Sequence, residues 1–320
     1  MAFSVLLVGA GQIGSRYLQG LSKCSVPLSV VVSDISTGAL QVCQARWLEV
    51  GGQQTPHSVK MSSGLAGLPS RIDLAIVSTN ALVRPAVVRQ VNDSSQVRNW
   101  LLEKVLAQNE DNIDYLESTV GIQAKAWVNT PYRAMEWYNR IRFHMNLGGK
   151  FSCAIRGGNT FGLACNAIHY LDLLSWLSGE AVISITTNEL DCKWHPSKRA
   201  GFWDVFGKIE AMFSGGSTAV IESSSRAKLP ITICIQSAGE EWVIHESDGV
   251  AVRNHGFTIE GRDELQSEMT APVVDSILLT GTCLLPRLHE SALLHIPMLN
   301  AFLDHWNGHM PDKLLASPIT

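Results

Sequence analysis

The chain has 320 residues, of which 46% are hydrophobic and 17% are charged, and its formal net charge is -4 at pH 7. This length predicts about two domains in a globular protein. The slightly acidic balance argues against a nucleic-acid-binding surface and against a basic patch for membranes. No apolar stretch reaches the roughly 18 residues that a membrane span needs. Seven scattered cysteines without a CxxC pair favour a reduced, cytoplasmic protein.

The first predicted elements are a strand, a glycine-rich turn and a helix. Residues 3–8 form an apolar run typical of a strand buried on both faces of a parallel sheet, and residues 12–23 follow with a helical pattern. Gly9, Gly11 and Gly14 form a GxGxxG pattern at this junction. In a dinucleotide-binding turn, these glycines permit the tight turn, the approach of the pyrophosphate and the close packing of helix on strand. The helix N-terminus would supply N–H groups for the phosphates.

A second apolar strand ends at Asp34, twenty residues after Gly14. An acidic side chain at this place accepts hydrogen bonds from both ribose hydroxyls and repels a 2′-phosphate, which favours NAD over NADP. Ser33 and Ser36 leave NADP as the alternative, because small polar side chains accommodate a phosphate. The other interpretation of Asp34 is structural, since it would cap the helix predicted over 37–50 or lie in a turn.

Strands and helices continue to alternate up to about residue 128. Further strands are predicted at 71–80, 97–107 and 123–129, and helices are predicted between them at about 81–93 and 108–122. This order predicts a Rossmann domain with a parallel sheet over residues 1–128. Ligands of such sheets bind beyond the carboxyl ends of the strands. The residues expected to bind the cofactor are Gly9, Gly11, Gln12, Ile13, Gly14, Asp34, Ser78, Thr79, Asn80, Glu103 and Lys104.

The second half of the chain, residues 129–320, has a different pattern. Helices are predicted at 133–145, 165–179 and 285–308. Strands are predicted at 150–157 and near 181–190, 204–213, 217–225, 230–237, 240–246 and 250–254. A glycine ends the second of these helices, and Pro297 is expected to kink the third. Because no helix separates the later strands, we predict an α+β domain built on an open, mostly antiparallel sheet with one face packed on helices.

Four segments carry a resemblance to a known family. They are GAGQIG near the N-terminus, STN after the strand at 71–80, EK within LLEKVLA, and the helical segment IHYLDLLSWLSG. In these motifs and in layout, most of the chain resembles the sugar-related oxidoreductases named after glucose–fructose oxidoreductase, inositol dehydrogenase and a rhizopine-catabolism protein (Gfo/Idh/MocA). Three positions differ. Val105 stands where the family usually has the proline of Glu-Lys-Pro, and Cys165 and Ala167 stand at the first acidic position and the glycine position of Asp-x-Gly-x-His-x-x-Asp.

The resemblance implies hydride transfer between NAD(P) and a secondary alcohol or ketone of a sugar or cyclitol derivative. Residues 285–308 are similar to relatives from surface-polysaccharide pathways, which suggests an activated or acidic sugar. The resemblance also implies that Lys104 and His169 are catalytic. Because imidazole exchanges protons near neutral pH, His169 suits the base that takes the hydroxyl proton, whereas Lys104 would stabilise the developing alkoxide. Asp172, three residues after His169 on one helix face, would orient the imidazole or face the protein interior.

Three further polar residues are candidates for binding the substrate together with Asp172. Asn166 is the polar neighbour of Cys165, one position out of register with the family motif. Asn139 and Arg140 resemble a polar pair that often follows the cofactor domain in the family, and a solvated helix face is the alternative.

Other functions remain open from the sequence. A redox-assisted glycoside hydrolase would keep NAD bound and show no net reduction, and a bilin reductase of the same fold is a more distant alternative. A non-catalytic dinucleotide-binding protein is favoured by the loss of the acid at Cys165. We expect no metal site, because His305 and His309 lack a further ligand. A homodimer or homotetramer is expected, since an open sheet can bury one face against a second subunit.

Overall fold

The computed structural model describes residues 2–120 and 124–320, without the side chain of His255. They form two compact units. The first unit comprises Met1–Ala107, Asp111–Asn129 and Glu264–His289, and the second comprises Gln108–Glu110, Thr130–Asp263 and Glu290–Thr320. One unit boundary, between Asn129 and Thr130, lies close to the predicted division. The return of the chain to the first unit at Glu264 was not predicted.

The first unit is built on a parallel sheet. Its strands are β1 (Phe3–Val8), β2 (Leu28–Ser33), β3 (Ser58–Ser62), β4 (Arg71–Ile72), β5 (Leu74–Val77), β6 (Gln96–Val97), β7 (Asn99–Glu103) and β8 (Lys125–Asn129). Six of them form one sheet in the order β3-β2-β1-β5-β7-β8, and all neighbouring pairs are parallel. The chain order reverses between β1 and β5, which is the place where ligands bind in such sheets. The predicted Rossmann sheet is confirmed, with β3 as an additional strand.

Five helices belong to the first unit. They are α1 (Gln12–Leu21), α2 (Thr37–Glu49), α3 (Arg84–Ser94), α4 (Glu110–Val120) and α7 (Gln266–Thr280). The predicted ends at residues 121–122 and the predicted strand start at residue 123 lie outside the described residues. Helix α7, which the sequence analysis missed, packs on α1 at Gly20, where an added Cβ would lie 2.5 Å from the Cβ of Thr270. Pro272 inside α7 breaks the expected helical pattern, which explains why it was missed.

The second unit is built on an eight-stranded sheet. Its strands are β9 (Phe151–Gly157), β10 (Val182–Leu190), β13 (Gly207–Phe213), β14 (Thr218–Ser223), β15 (Thr232–Ser237), β16 (Glu240–His245), β17 (Val250–Arg253) and β18 (Phe257–Glu260). The order is β10-β13-β14-β9-β15-β16-β17-β18. Only the β9–β14 pair among these described neighbours is parallel. The predicted open, mostly antiparallel sheet is therefore confirmed.

Helices and a short hairpin complete the second unit. The helices are α5 (Glu136–His144), α6 (Leu163–Ser178) and α8 (Leu288–His309, of which all but the first two residues belong to this unit). The hairpin strands are β11 (His195–Pro196) and β12 (Trp203–Asp204), and α6 contacts both β12 and β14. Gly179 ends α6 with a left-handed φ of 74°, as the glycine cap predicted. Pro297 lies inside the continuous helix α8.

In five strands of the second sheet, β9, β13, β14, β15 and β16, buried side chains alternate with more exposed ones. In β9, Phe151, Cys153 and Ile155 are buried, while the intervening side chains are at least partly exposed. Because successive side chains point to opposite faces, one face of this sheet forms the core and the other is accessible in the single chain. Within the described residues, no helix combines the length and the apolar composition that a membrane span requires.

Candidate functional site

The first and third glycines of the turn have a packing role. Gly9 has a φ of 96°, and a Cβ there would lie 3.0 Å from the Oγ of Ser78. At Gly14 a Cβ would lie 1.7 Å from the carbonyl oxygen of Gly9 and 2.7 Å from the Ser78 Oγ. The close packing of α1 on β1 therefore requires glycine at both positions, whether or not a ligand binds.

Gly11 has no such packing role. A Cβ at this position would meet no described atom within 4 Å. Gly11 is also the N-cap of α1, and the first turn of this helix has neither a side-chain cap nor an acidic residue. The neighbouring Gln12 and Ile13 are exposed. The main chain at Gly11 thus leaves open the space that a pyrophosphate would need at a helix N-terminus.

Asp34 is bound to the glycine turn. Its Oδ2 accepts a hydrogen bond of 2.6 Å from the Ala10 N–H, and its Oδ1 accepts one of 2.8 Å from the Ser36 N–H. The structure assigns the N-cap of α2 to Ser36, whose Oγ accepts from the Ala39 N–H at 3.2 Å. Asp34 is therefore not the helix cap. It is partly exposed, and each carboxylate oxygen retains a lone pair for a ribose hydroxyl.

The three polar residues after β5 have different contacts. The Ser78 Oγ donates to the Gly9 carbonyl at 2.8 Å, and the Asn80 Oδ1 accepts from the Val83 N–H at 3.1 Å. These two side chains support the turn and the start of α3. The Thr79 Oγ1 is buried and has no hydrogen-bond partner among the described residues. Thr79 is thus the member of the three with a polar group left for a ligand.

Glu103 is buried within the first unit. One of its carboxylate oxygens accepts a hydrogen bond of 2.6 Å from the Tyr17 hydroxyl and another of 2.7 Å from the Asn129 amide. Asn129 also donates to Gln266 at 2.8 Å. Burial, and then the charge of Glu103, raise the pKa of Tyr17 well above its ordinary value. Although the sequence analysis expected Glu103 to face the cofactor, these contacts support a structural role.

Lys104 begins the loop that follows β7. Its side chain is partly buried, and the Lys104–Val105 peptide bond is cis. Arg84, which the sequence analysis missed, donates to the carbonyl oxygens of Val105, Leu106 and Thr79. No motif points to Arg84 in the sequence; only the Arg-Pro start of α3 marks its position.

In the second unit, α6 carries the candidate substrate residues. Cys165, Asn166 and His169 are partly exposed, and His169 follows the other two by four and three residues on the helix. The ring centroids of His169 and Tyr132 are 5.9 Å apart. This face of α6 therefore presents an imidazole and an amide with partial access to solvent.

Asp172 is fully buried on the same helix. Its two oxygens accept hydrogen bonds of 2.9 and 2.7 Å from the guanidinium of Arg133, which also binds Glu290 at 2.6 Å. Burial raises the pKa of Asp172 to about 6, and the Arg133 charge opposes that rise. The spacing to His169 left two roles open, and these contacts support the interior, structural one. The sequence could not identify Arg133, which is 39 residues away.

A carboxylate from the hairpin reaches Cys165. The Sγ of Cys165 donates to the Asp204 Oδ2 at 3.7 Å, while the Asp204 Oδ1 accepts from the Ala164 N–H at 2.8 Å. Asp204 is only 4% exposed, and burial raises its pKa. Asp204 thus satisfies one N–H group in the first turn of α6, whose N-cap residue is Gly162. Cys165, which stands where the family motif has an acid, therefore lies beside the carboxylate of Asp204.

Three tyrosines and two further carboxyl groups lie behind this helix face. The hydroxyls of Tyr138 and Tyr170 donate to the two oxygens of Glu246 at 2.7 and 3.1 Å. The hydroxyls of Tyr132 and Tyr170 are 3.0 Å apart. Burial, and then the charge of Asp263, raise the pKa of Glu246 to about 7, and burial raises the pKa of Asp263 to about 6.

The other two candidate residues make contacts typical of a helix surface. The Asn139 amide donates to the carbonyls of Arg133 and Met135, at 2.8 Å each. Arg140 is exposed and donates to the Glu260 carbonyl at 3.1 Å. Both contacts support the structural alternative for this pair. Elsewhere in the described part of the chain, no group of three or more His, Cys, Asp or Glu side chains is arranged to hold a metal ion.

No protein-family model matches the sequence, and no curated protein matches it. Solved structures do match. UDP-N-acetylglucosamine 3-dehydrogenase GnnA from Acidithiobacillus ferrooxidans superposes with a TM-score of 0.73 at 11% identity, covering 94% of this chain and 97% of the other. An oxidoreductase from Agrobacterium radiobacter, in complex with NAD+, L-tartaric acid and magnesium, gives 0.73 at 13% identity, with 96% and 97% covered.

A third match is myo-inositol dehydrogenase from Lactobacillus casei in complex with NAD(H) and myo-inositol. It gives a TM-score of 0.69 at 14% identity and covers 100% of this chain and 98% of the other. The matched structures are oxidoreductases of the Gfo/Idh/MocA type. The chain therefore has the fold of these oxidoreductases, as the four sequence segments implied.

Proposed function

We propose that the protein is an NAD-dependent oxidoreductase that acts on a secondary alcohol or ketone of a sugar or cyclitol derivative. The observation that carries this proposal is Gly11, which has no packing role and leaves open space at the N-terminus of α1. Asp34, bound to the adjacent Ala10 N–H, has the acidic side chain that suits the ribose of NAD.

The matched structures support the class of substrate. GnnA is a dehydrogenase of a nucleotide sugar, and the Lactobacillus casei enzyme was solved with an inositol and NAD(H). Both ligands offer ring hydroxyls at secondary carbons. We assign the same class of substrate to this chain, with a nucleotide-activated or acidic sugar as the finer proposal and NADP as the alternative cofactor.

The proposed chemistry gives each candidate residue one role. Bound NAD would supply the hydride acceptor for oxidation of the carbinol carbon. In our proposal, His169 accepts the hydroxyl proton, because imidazole exchanges protons near neutral pH. Lys104 stabilises the negative charge that develops on the oxygen. Asn166, on the exposed part of α6, donates or accepts a hydrogen bond to a neighbouring substrate hydroxyl.

The first experiment is a fluorescence titration of the purified protein with NADH and NADPH. The nine tryptophans provide the signal. We expect a clear preference for NADH, which Asp34→Ala abolishes by weakening NADH binding more than NADPH binding. Preference for NADPH in the wild-type protein would overturn the assignment of Asp34, and binding of neither nucleotide would overturn the enzyme proposal.

Turnover separates this proposal from its alternatives. With a panel of sugars and cyclitols, Lys104→Met and His169→Ala should abolish the reduction of NAD while NADH affinity is retained. A non-catalytic protein would bind NADH and reduce nothing, and a redox-assisted hydrolase would release sugar without net reduction. Near-normal turnover in both variants would remove the two residues from the active site.

We also propose that the accessible face of the second sheet forms a homodimer. Val220, Ala154, Cys234, Val243 and Val252 are direct cross-strand neighbours in one row across five strands. All five are partly exposed, and such a continuous apolar row on an open sheet suits a self-complementary contact. Val243→Glu should convert a dimer into a monomer in light scattering, whereas Ser94→Glu on the exposed surface of α3 should not. A monomeric wild-type protein would contradict this proposal.

The seven cysteines are all free, which supports a reducing compartment. We therefore propose a cytoplasmic location.

A further inference from the structure

Arg84 occupies an unusual place for an arginine. It is the first residue of α3 and directly precedes Pro85, and only 1% of its surface is exposed. Arginine is almost never fully buried unless its guanidinium is paired, because removing the charge from water is costly. The burial of Arg84 therefore requires strong compensating contacts inside the first unit.

Those contacts are made with the main chain of two separate loops. One terminal nitrogen of Arg84 donates to the carbonyls of Val105 and Leu106, the latter at 2.9 Å, and the other donates to the carbonyl of Thr79. Thr79 follows β5, whereas Val105 and Leu106 follow β7. Charged donors form stronger hydrogen bonds than neutral ones, and the planar guanidinium fixes their directions. Arg84 thus clamps the two loops together.

The loop after β7 depends on this clamp. It runs from Lys104 to Asn109, between the end of β7 and the start of α4, and contains neither helix nor strand. On one side of Lys104, the Glu103 side chain is held by Tyr17 and Asn129. On the other side, Arg84 holds the carbonyls of the next two residues. The main chain that carries Lys104 is therefore fixed from both directions.

We propose that Arg84 is a positioning residue: by clamping the loop at Val105 and Leu106 to the loop at Thr79, it fixes Lys104 and couples its placement to dinucleotide binding. The inference rests on the proposed function, in which Lys104 acts on the substrate and Thr79 lies beside the cofactor. Since a displacement of about 1 Å in a reacting group can cost roughly a hundredfold in rate, loss of the clamp should reduce turnover without removing any group that touches the substrate.

The variants are Arg84→Met, which keeps the length of the side chain without charge, and Arg84→Lys, which keeps the charge without the planar fork. For both, we expect kcat to fall about 10- to 100-fold, with little change in the KM of the sugar and with NADH binding retained. Such a split between kcat and KM indicates an interaction used only in the transition state. If Arg84→Met does not fold, Arg84→Lys alone carries the test.

A second readout does not depend on activity. Hydrogen exchange of the peptide covering residues 104–109, measured by mass spectrometry, reports how often the loop opens. In the wild-type protein NADH should slow this exchange, and in the Arg84 variants exchange should be faster and insensitive to NADH. The matched control is Asn99→Ala at the opposite end of β7. Asn99 is also buried and donates to a main-chain carbonyl, that of Asp73 at 2.9 Å, so its loss should lower stability without affecting the loop.

The outcomes separate this inference from the proposed function. Unchanged exchange of residues 104–109 in an Arg84 variant would overturn the clamp, whatever the activity. Equal effects of Asn99→Ala and Arg84→Lys on kcat would also overturn it, because a general loss of stability would then explain both. If exchange is faster in the Arg84 variants but the wild-type protein oxidises no sugar, the clamp is supported and the proposed function is rejected.

Discussion

The glycine turn of the first unit and helix α6 of the second differ in the kind of contact that fixes their residues. In the turn, Gly9 and Gly14 are required because main-chain atoms approach closely. In α6, Cys165, Asp172 and Tyr170 are fixed by the side chains of Asp204, Arg133 and Glu246, which are 39, 39 and 76 residues away. A glycine pattern thus identifies main-chain packing from sequence alone, whereas a polar residue on a helix does not identify its partner.

The largest expected effect comes from the packing glycine. Gly14→Ala should lower the free energy of unfolding by about 4 kcal/mol, a loss diagnostic of a severe local defect, because the added Cβ would lie 1.7 Å from the Gly9 carbonyl oxygen. Helix propensity alone predicts the opposite sign, since alanine is favoured over glycine by about 1 kcal/mol. Urea unfolding followed by circular dichroism measures the change.

Gly11→Ala is the matched control for that prediction. Its Cβ meets no described atom within 4 Å, so stability should be nearly unchanged while NADH binding is lost. Equal loss of stability in the two variants would mean that all three glycines serve only the turn.

The buried ion pair of α6 should produce the next largest effect. Asp172→Asn leaves the guanidinium of Arg133 with one charged partner, Glu290, and should cost about 3 kcal/mol of unfolding free energy. Arg140→Ala, which removes an exposed cation, should cost less than about 0.5 kcal/mol. If Asp172→Asn abolished turnover at unchanged stability, the structural interpretation of this aspartate would have to be abandoned in favour of one in which it orients His169.

Cys165→Asp restores the acid that the family motif usually has, yet it places a second carboxylate beside the buried Asp204. Like charges at this distance disfavour double ionisation. We expect a loss of about 1–2 kcal/mol at pH 8, on the scale of roughly one pKa unit per 1.4 kcal/mol, and a smaller loss at pH 5, where one carboxyl group remains protonated. Cys165→Ser keeps a hydrogen-bond donor to Asp204 and serves as the control. Equal stability of the two variants at pH 8 would contradict the Asp204 contact.

A dependence of stability on pH is also expected. The pKa of Glu246 is raised from an ordinary value of 4.5 to about 7, so between these values the folded state keeps a proton that the unfolded state releases. Stability therefore falls as the pH rises through this window, and it is greatest below pH 4.5 as far as this group is concerned. At roughly 1.4 kcal/mol per pKa unit, the full shift corresponds to a loss of at most about 3 kcal/mol across this window.

Glu246→Gln tests that prediction, because the amide cannot titrate. Thermal unfolding between pH 5 and 8 should show a smaller decrease for the variant than for the wild-type protein. If the dependence of stability on pH is the same in Glu246→Gln as in the wild-type protein, other groups, such as Asp263 and Asp172, must cause it.

The parallel sheet of the first unit followed from the sequence because its strands are continuous apolar runs separated by helices. Strand β3 was missed because SVKMS alternates polar and apolar residues at an edge of the sheet, where burial is incomplete. The return of the chain to the first unit through α7 was missed for another reason. Nothing local to Gln266–Thr280 indicates that its partner is Gly20, near the opposite end of the sequence.

Some residues of the candidate site could likewise be identified from the sequence, and others could not. Gly11 and Asp34 could be identified from their order and spacing, because a bound phosphate and ribose require particular residues at particular places. Arg84 could not, because its partners are carbonyl groups, which every residue possesses. The partners of His169 and Asp172 could not be identified either, since helical spacing shows which residues share a face but not what packs on that face.

The discontinuity of the first unit has a consequence for the order in which the protein folds during synthesis. Helix α7 packs on α1 and also contacts the segment that follows α1. There the Asp275 carboxylate of α7 accepts a hydrogen bond of 2.8 Å from the Ser25 N–H. The ribosome makes α7 only after every strand of the second sheet. The Gly20 side of α1 therefore stays uncovered while about 245 residues are added (from residue 21 to residue 266). Exposed apolar surface at such a stage favours misassembly. The first unit therefore begins first but can be completed only after the second sheet has been made.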